Sequence, residues 1–221
     1  MMKPVAYFRS PFGSKFGIPR QAGVVADVRG CIVLDKEYRT ADAVRGMEEF
    51  DYLWLIWGFS ANKHGAKGVT VRPPRLGGNK QMGVFATRSP FRPNPIGLSS
   101  VRIDHIDYGC PDAPVIHVLG ADIMDGTPIY DIKPYIPYTD AHPEARGGFT
   151  DTTEWQPLEV VVPEELRPNV PEQLLKILAQ DPRPHYHNDP TRIYGMPFDG
   201  KDVRFRVDGK VLTIVEIISI N

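Results

Sequence analysis

The pattern of apolar and polar positions predicts many short strands and little helix. Lys3 to Arg9 has the β-branched and aromatic content of an opening strand, cut short by Ser10-Pro11. Gly23 to Arg29 and Cys31 to Leu34 read as two strands of a hairpin about Gly30. Thr40 to Phe50 carries the first helical signal, with Thr40 as cap and Ala41, Val44, Met47 and Phe50 recurring at three-residue spacing. Tyr52 to Phe59 is too short to cross a bilayer and reads as a strand buried on both faces. Short strands follow at Val69 to Arg72, closed by Pro73-Pro74, and at Val115 to Leu119. Asp125-Gly126 signals a tight turn, and in Tyr130 to Tyr135 the period of two puts Asp131 and Lys133 on one side, at ion-pair spacing. Pro171 to Gln180 is helical until Asp181-Pro-Arg-Pro184 stops it. Val203 to Ile220 is a hairpin with a type I′ turn at Asp208-Gly209.

Strands and helices do not alternate in residues 1–138 as they would in a doubly wound parallel sheet. The expected fold is therefore mainly β: an antiparallel β-barrel over 1–138, a polar, Gly-rich linker over 139–154, and a small α+β domain over 155–221.

The most unusual stretch is Met82 to Arg102, MGVFATRSPFRPNPIGLSSVR. Val84, Phe85 and Ala86 read as a buried strand, and Ile96, Leu98 and Val101 resume the apolar pattern beyond Pro90, Pro93 and Pro95. Each proline fixes its own φ and extends the residue before it, so Ser89, Arg92 and Asn94 sit in a nearly preset loop. Thr87, Arg88, Ser89, Arg92 and Asn94 make that loop dense in hydrogen-bond donors. A second such run, Phe12 to Gln21, mixes glycines with Lys15, Arg20 and Gln21 and suits close approach of backbone to a ligand.

Charge sharpens this picture. No Asp or Glu lies between Asp51 and Asp104, whereas Lys63, Lys67, Arg72, Arg75, Lys80, Arg88, Arg92 and Arg102 do. From Asp104 to Glu165 thirteen acids face only Lys133 and Arg146. The net charge of −1 thus conceals a basic surface suited to a polyanion and an acidic region suited to a cation. Apolar runs are too short for a membrane span and the N-terminus lacks a signal-peptide core, giving a cytoplasmic expectation. Cys31 and Cys110 are far apart in sequence and read as reduced thiols. His185 and His187 lack a third ligand nearby, so no metal is expected.

The runs FRSPFGSKFGIPRQ, ADAVRGMEEF, VRPPRLGG, MGVFATRSPFRPNPIGLS, DGTPIYDIKPYIP and AQDPRPHY resemble the TrmO (TsaA-like, YaeB) family of S-adenosylmethionine-dependent tRNA methyltransferases over nearly the whole chain. The resemblance implies a small β-barrel that binds the cofactor near a homodimer interface. It also implies methylation of N6 of the N6-threonylcarbamoyladenosine beside certain tRNA anticodons. Cofactor contacts carry over to Pro19, Arg20, Gln21, Ser60, Ala61, Arg88, Leu98 and the turn Asp122, Ile123, Met124, Asp125. Several relatives have His or Gln where this chain has Ser60 and Ala61, so only a backbone contact carries over there.

Methyl transfer from a sulfonium asks the protein chiefly to align the nucleophile and to accept a proton late. Asp125 and Asp131 are candidate acceptors, Asn94 a candidate to orient the base, and Arg88 and Arg92 candidates to hold a carboxylate or phosphate. Arg72, Arg75, Lys80, Arg92, Lys133, Arg183 and Tyr186 are the expected contacts to a tRNA anticodon stem-loop. Two other classes stay open on charge alone: a non-catalytic RNA-binding barrel, and an enzyme with a basic pocket for a small anionic metabolite.

Overall fold

A computed structural model describes residues 2–62, 68–77, 80–153, 156–183 and 189–220. The N-terminal sheet is built from β1 (Ala6–Arg9), β2 (Arg29–Leu34), β3 (Tyr52–Gly58), β6 (Ile96–Asp107), β7 (Val115–Leu119) and β8 (Pro128–Pro134). Their pairing order β1-β2-β7-β6-β3-β8 returns to β1, which closes the sheet into a barrel. All six pairings are antiparallel. Between β3 and β6 the short β4 (Thr70–Val71) and β5 (Met82–Gly83) form a separate two-stranded ladder.

Alternation fills the barrel. Leu53, Leu55 and Trp57 of β3 point inward with Phe8, Ile32, Val101, Ile116, Val118 and Ile129. Tyr52 is exposed and Trp54 and Ile56 only half-buried, so β3 is buried on one face rather than on both. Glycine admits two close approaches: a Cβ at Gly30 would lie 2.5 Å from the Phe8 ring, and one at Gly97 would lie 2.3 Å from the Trp57 indole. Gly30 therefore lies within the single strand β2, and the hairpin expected about it does not form; residues 23–28 are loop.

Three further expectations are corrected. Residues 40–50 form two 3₁₀ turns, Ala41–Val44 and Met47–Glu49, interrupted at Gly46 with φ 81°, and the Thr40 side chain makes no capping bond. Val84–Ala86 is a 3₁₀ turn that leaves Phe85 78% exposed. There the Thr87 hydroxyl donates to the Val84 carbonyl (2.9 Å) and accepts from the Ser89 N–H (3.3 Å), a local alternative to a strand ladder. The closing hairpin has Gly209-Lys210 as its loop, with positive φ only at Gly209 (56°), the II′ pattern and not I′. An Asp-Gly turn with both φ positive does exist, at Asp199-Gly200 (49° and 69°).

That second turn joins β10 (Tyr194–Phe198) to β11 (Lys201–Asp208) in a four-stranded sheet. Its order is β10-β11-β12-β9, with β9 (Glu159–Val161) parallel to β12 (Val211–Ser219). Chain β8 leads to it through α1 (Pro137–Asp140), where Asp140 accepts from Trp54 Nε1 (2.7 Å). The helix α2 (Glu172–Ala179) buries Leu174, Ile177 and Leu178 on this sheet. The second core also contains Phe12, Val25 and Val28, with Phe16 and Ile18 packed on its edge. Segment 10–28 thus lies before the expected boundary at 138 and yet packs its apolar side chains among those of residues 158–217. Asp199 N–H donates to the Pro11 carbonyl (2.9 Å), and Lys176 pairs with Asp27 (2.8 Å).

No helix among the described residues is long and apolar enough to cross a membrane, and among the same residues no group of three or more His, Cys, Asp or Glu is placed to hold a metal ion. Tyr186, His185 and His187 lie outside the described residues.

Candidate functional site

A cleft of about 690 Å³ opens where three loops meet the ends of β3 and β6. Its first wall is Lys15 and Ile18 to Gln21, carried by the segment that the second core holds from behind. The second is the end of β3 running into Phe59, Ser60, Ala61 and Asn62. The third is the proline loop, with Thr87, Arg88, Pro90, Arg92, Pro93 and Asn94, leading to Ile96, Gly97 and Leu98 of β6. Asp122, Met124 and Thr127 form the floor. A bulge in the β3–β8 ladder between Ile56 and Trp57 turns the strand at the cleft.

The loops are tied to one another. Phe59 N–H donates to the Pro95 carbonyl (2.9 Å), Asn62 Nδ2 to the Pro90 carbonyl (3.2 Å), and Arg92 Nη1 to the Thr87 carbonyl (3.2 Å). Across the cleft Arg88 Nη1 donates to Gln21 Oε1 (2.6 Å), which joins the proline loop to the first wall. Arg20 is surrounded by Asp181 and Arg75. Partial burial holds its pKa below the usual value, Asp181 pulls the other way, and the charge of Arg75 adds to the lowering.

On the floor, Trp57 Nε1 donates to Ser99 Oγ (2.9 Å), which donates to Asp122 Oδ1 (2.5 Å). Ser99 and Trp57 are both buried, and the absent Cβ of Gly97 leaves room for the indole. Burial raises the Asp122 pKa; the Ser99 hydroxyl, its own backbone, the Ala22 N–H and the Arg88 charge restrain the rise. Asp122 is the sole carboxylate on the cleft wall among the described residues, against Lys15, Arg20, Arg88 and Arg92.

Of the residues expected from sequence, Pro19, Arg20, Gln21, Ser60, Ala61, Arg88, Leu98, Asp122 and Met124 line this cleft, as do Asn94 and Arg92. Ile123 is fully buried in the barrel core. Two expected proton acceptors are elsewhere. Asp125 accepts from the Ser10 N–H (3.2 Å) and lies 3.6 Å from Arg9, pinning the chain that leaves β1. Asp131 pairs with Lys133 (3.0 Å) away from the cleft. Arg72, Arg75 and Lys80 are exposed outside it, while Arg183 is largely buried against Asp181 (3.0 Å). Sequence reading missed Trp57, Ser99, Phe85 and Asn62. The β3–β6 register, which sets Trp57 opposite Gly97 and Leu55 opposite Ser99, brings the first two here, and the loops after β3 and β5 bring Asn62 and Phe85.

The residues fit S-adenosylmethionine. Trp57, Phe59, Ile96 and Leu98 offer apolar surface for an adenine or an alkyl chain, the arginines suit its carboxylate, and Asp122 suits its cation.

Residues 7–141 match the tRNA-methyltransferase O N-terminal domain family, and residues 155–220 match the TrmO C-terminal domain family. The tRNA (adenine(37)-N6)-methyltransferase of Escherichia coli K12 is 40% identical over 216 residues, covering 92% of this chain and 91% of the relative. The protein of the same name from Eikenella corrodens is 43% identical over 178 residues, covering 76% and 97%. A crystal structure of TrmO superposes with a TM-score of 0.79 at 31% identity, covering 99% of both chains. The TrmO crystal structure from Pseudomonas aeruginosa gives 0.78 at 30% identity, covering 99% of this chain and 98% of that one. With both domain families matched in order and relatives aligned over nearly its full length, the chain belongs to the TrmO family.

Proposed function

We propose that this chain is an S-adenosylmethionine-dependent tRNA methyltransferase that methylates N6 of the N6-threonylcarbamoyladenosine beside the anticodon. The observation that carries this is convergence: residues separated by about a hundred positions, from Pro19 to Met124, line one cleft that combines an apolar wall, arginines and, among the described residues, a single carboxylate. The names of the relatives from Escherichia coli and Eikenella corrodens support the reaction.

In this reading Arg20, Gln21, Arg88, the backbone at Ser60 and Ala61, Leu98 and the turn 122–124 hold the cofactor against the closed barrel. Arg88 and Arg92 face the threonylcarbamoyl carboxylate or a neighbouring phosphate, and Asn94 orients the splayed base. Exposed Arg72, Arg75 and Lys80 extend the basic surface toward the anticodon stem-loop. Residues 1–138 supply the methyltransferase unit and 155–221 one wall of the RNA surface. The working form is a cytoplasmic homodimer.

The test is mass spectrometry of nucleosides from tRNA incubated with the protein and S-adenosylmethionine. A mass gain of one methyl group on N6-threonylcarbamoyladenosine is expected. Its absence, with tRNA still bound, would leave a binding module.

A further inference from the structure

We infer that Asp122 is the catalytic base of this cleft, taking the proton that N6 sheds as it is methylated. The inference rests on the function proposed above. S-adenosylmethionine supplies the methyl group: the N6 lone pair forms the new N–C bond, and the C–S electrons remain on sulfur, which leaves as a neutral thioether. The nitrogen then carries one proton too many, and the Asp122 carboxylate accepts it to become a neutral acid. Positive and negative charges vanish together, so the step balances in atoms and charge without any other reactant.

Three observations select Asp122. Among the described residues it is the sole carboxylate on the cleft wall; Asp125 and Asp131 are held elsewhere by Ser10, Arg9 and Lys133. Its orientation is fixed. Because Trp57 Nε1 can only donate, the Ser99 oxygen accepts that bond and its proton must go to Asp122 Oδ1, and the Ala22 N–H holds the same carboxylate from the backbone. Burial also disfavours the charged form. A carboxylate raised in this way is a stronger base than one in water, and an acceptor pKa closer to the working pH is what general-base catalysis favours. Ser99 and Trp57 act through Asp122 and are positioning residues.

The experiment compares wild type, Asp122→Asn and Ser99→Ala by single-turnover methylation of tRNA at saturating cofactor across pH, alongside carboxyl ¹³C NMR titration of the cofactor-free proteins. Asparagine keeps the size of Asp122 and its capacity to accept from Ser99. Its rate should fall by roughly 100-fold or more, the usual range for a lost general base, and the acidic limb of the profile should disappear. Ser99→Ala removes a hydroxyl that favours the ionised form, so the limb and the Asp122 carboxyl titration should both move to higher pH. An Asp122→Asn protein within about threefold of wild type, or one defective only below saturating cofactor, overturns the assignment. A wild-type protein that methylates nothing overturns the proposed function, and this inference with it.

Discussion

At the scale of single residues, Asp122 and Arg88 pull against each other. The folded protein holds Asp122 above the usual carboxylate pKa, chiefly by burial. Protons are then bound more tightly in the folded than in the unfolded state. The stability this gives is complete below the ordinary aspartate pKa and is lost as pH rises through the raised value. Asp122→Asn should therefore raise the Tm most above that window and little below it, which a melting series in pH measures. Arg88 bridges the cleft to Gln21 and restrains the Asp122 shift. Arg88→Ala should weaken S-adenosylmethionine binding by at least about tenfold, the order expected for a lost charged hydrogen bond, and abolish methylation. Calorimetric titration with unchanged affinity and normal turnover would show that this loop is not the site.

At the scale of elements, what was legible from sequence divides by physical cause. The strands Ala6–Arg9, Val115–Leu119 and Pro128–Pro134 and the helix Glu172–Ala179 follow from local apolar and β-branched content, helical spacing and stop signals, so the sequence shows them directly. Residues 40–50 carry a helical spacing that Gly46 overrides, and 84–86 carry a strand-like composition that the Thr87 hydroxyl overrides. The prolines were informative because they restrict φ whatever the surroundings, and the loop they define does line the cleft. The Trp57–Ser99–Asp122 chain was not legible, since it depends on strand register and on two residues brought together across 42 positions. Arg72, Arg75 and Lys80 test the basic surface as a unit. Replacing all three by alanine should weaken tRNA binding and flatten its log-log salt dependence by roughly 0.9 per lost phosphate contact. An unchanged slope in filter-binding titrations would place the RNA elsewhere.

At the scale of the whole molecule, two cores share one stretch of chain. Phe12, Val25 and Val28 belong by sequence to the N-terminal half and by packing to the C-terminal sheet. A Cβ at Gly17 would lie 2.2 Å from Met196 Sδ, so the sheet also presses directly on the loop that supplies Pro19 to Gln21. Met196 is fully buried. Met196→Ala should cost about 2–5 kcal/mol and, although Met196 does not line the cleft, should lower cofactor affinity. Calorimetric titration beside a thermal melt separates the two effects, and a destabilised variant with wild-type affinity would deny the coupling. This shared packing was not legible in the sequence, because contacts between positions about 180 apart leave no local period.

The same packing sets the tempo of the cofactor loop. The amide protons of Phe16, which donates to Ser14 Oγ, and of the buried Gly17 should exchange with solvent only as often as the C-terminal sheet opens, keeping time with Met196 and Phe205 rather than with the barrel strands that follow them in the chain.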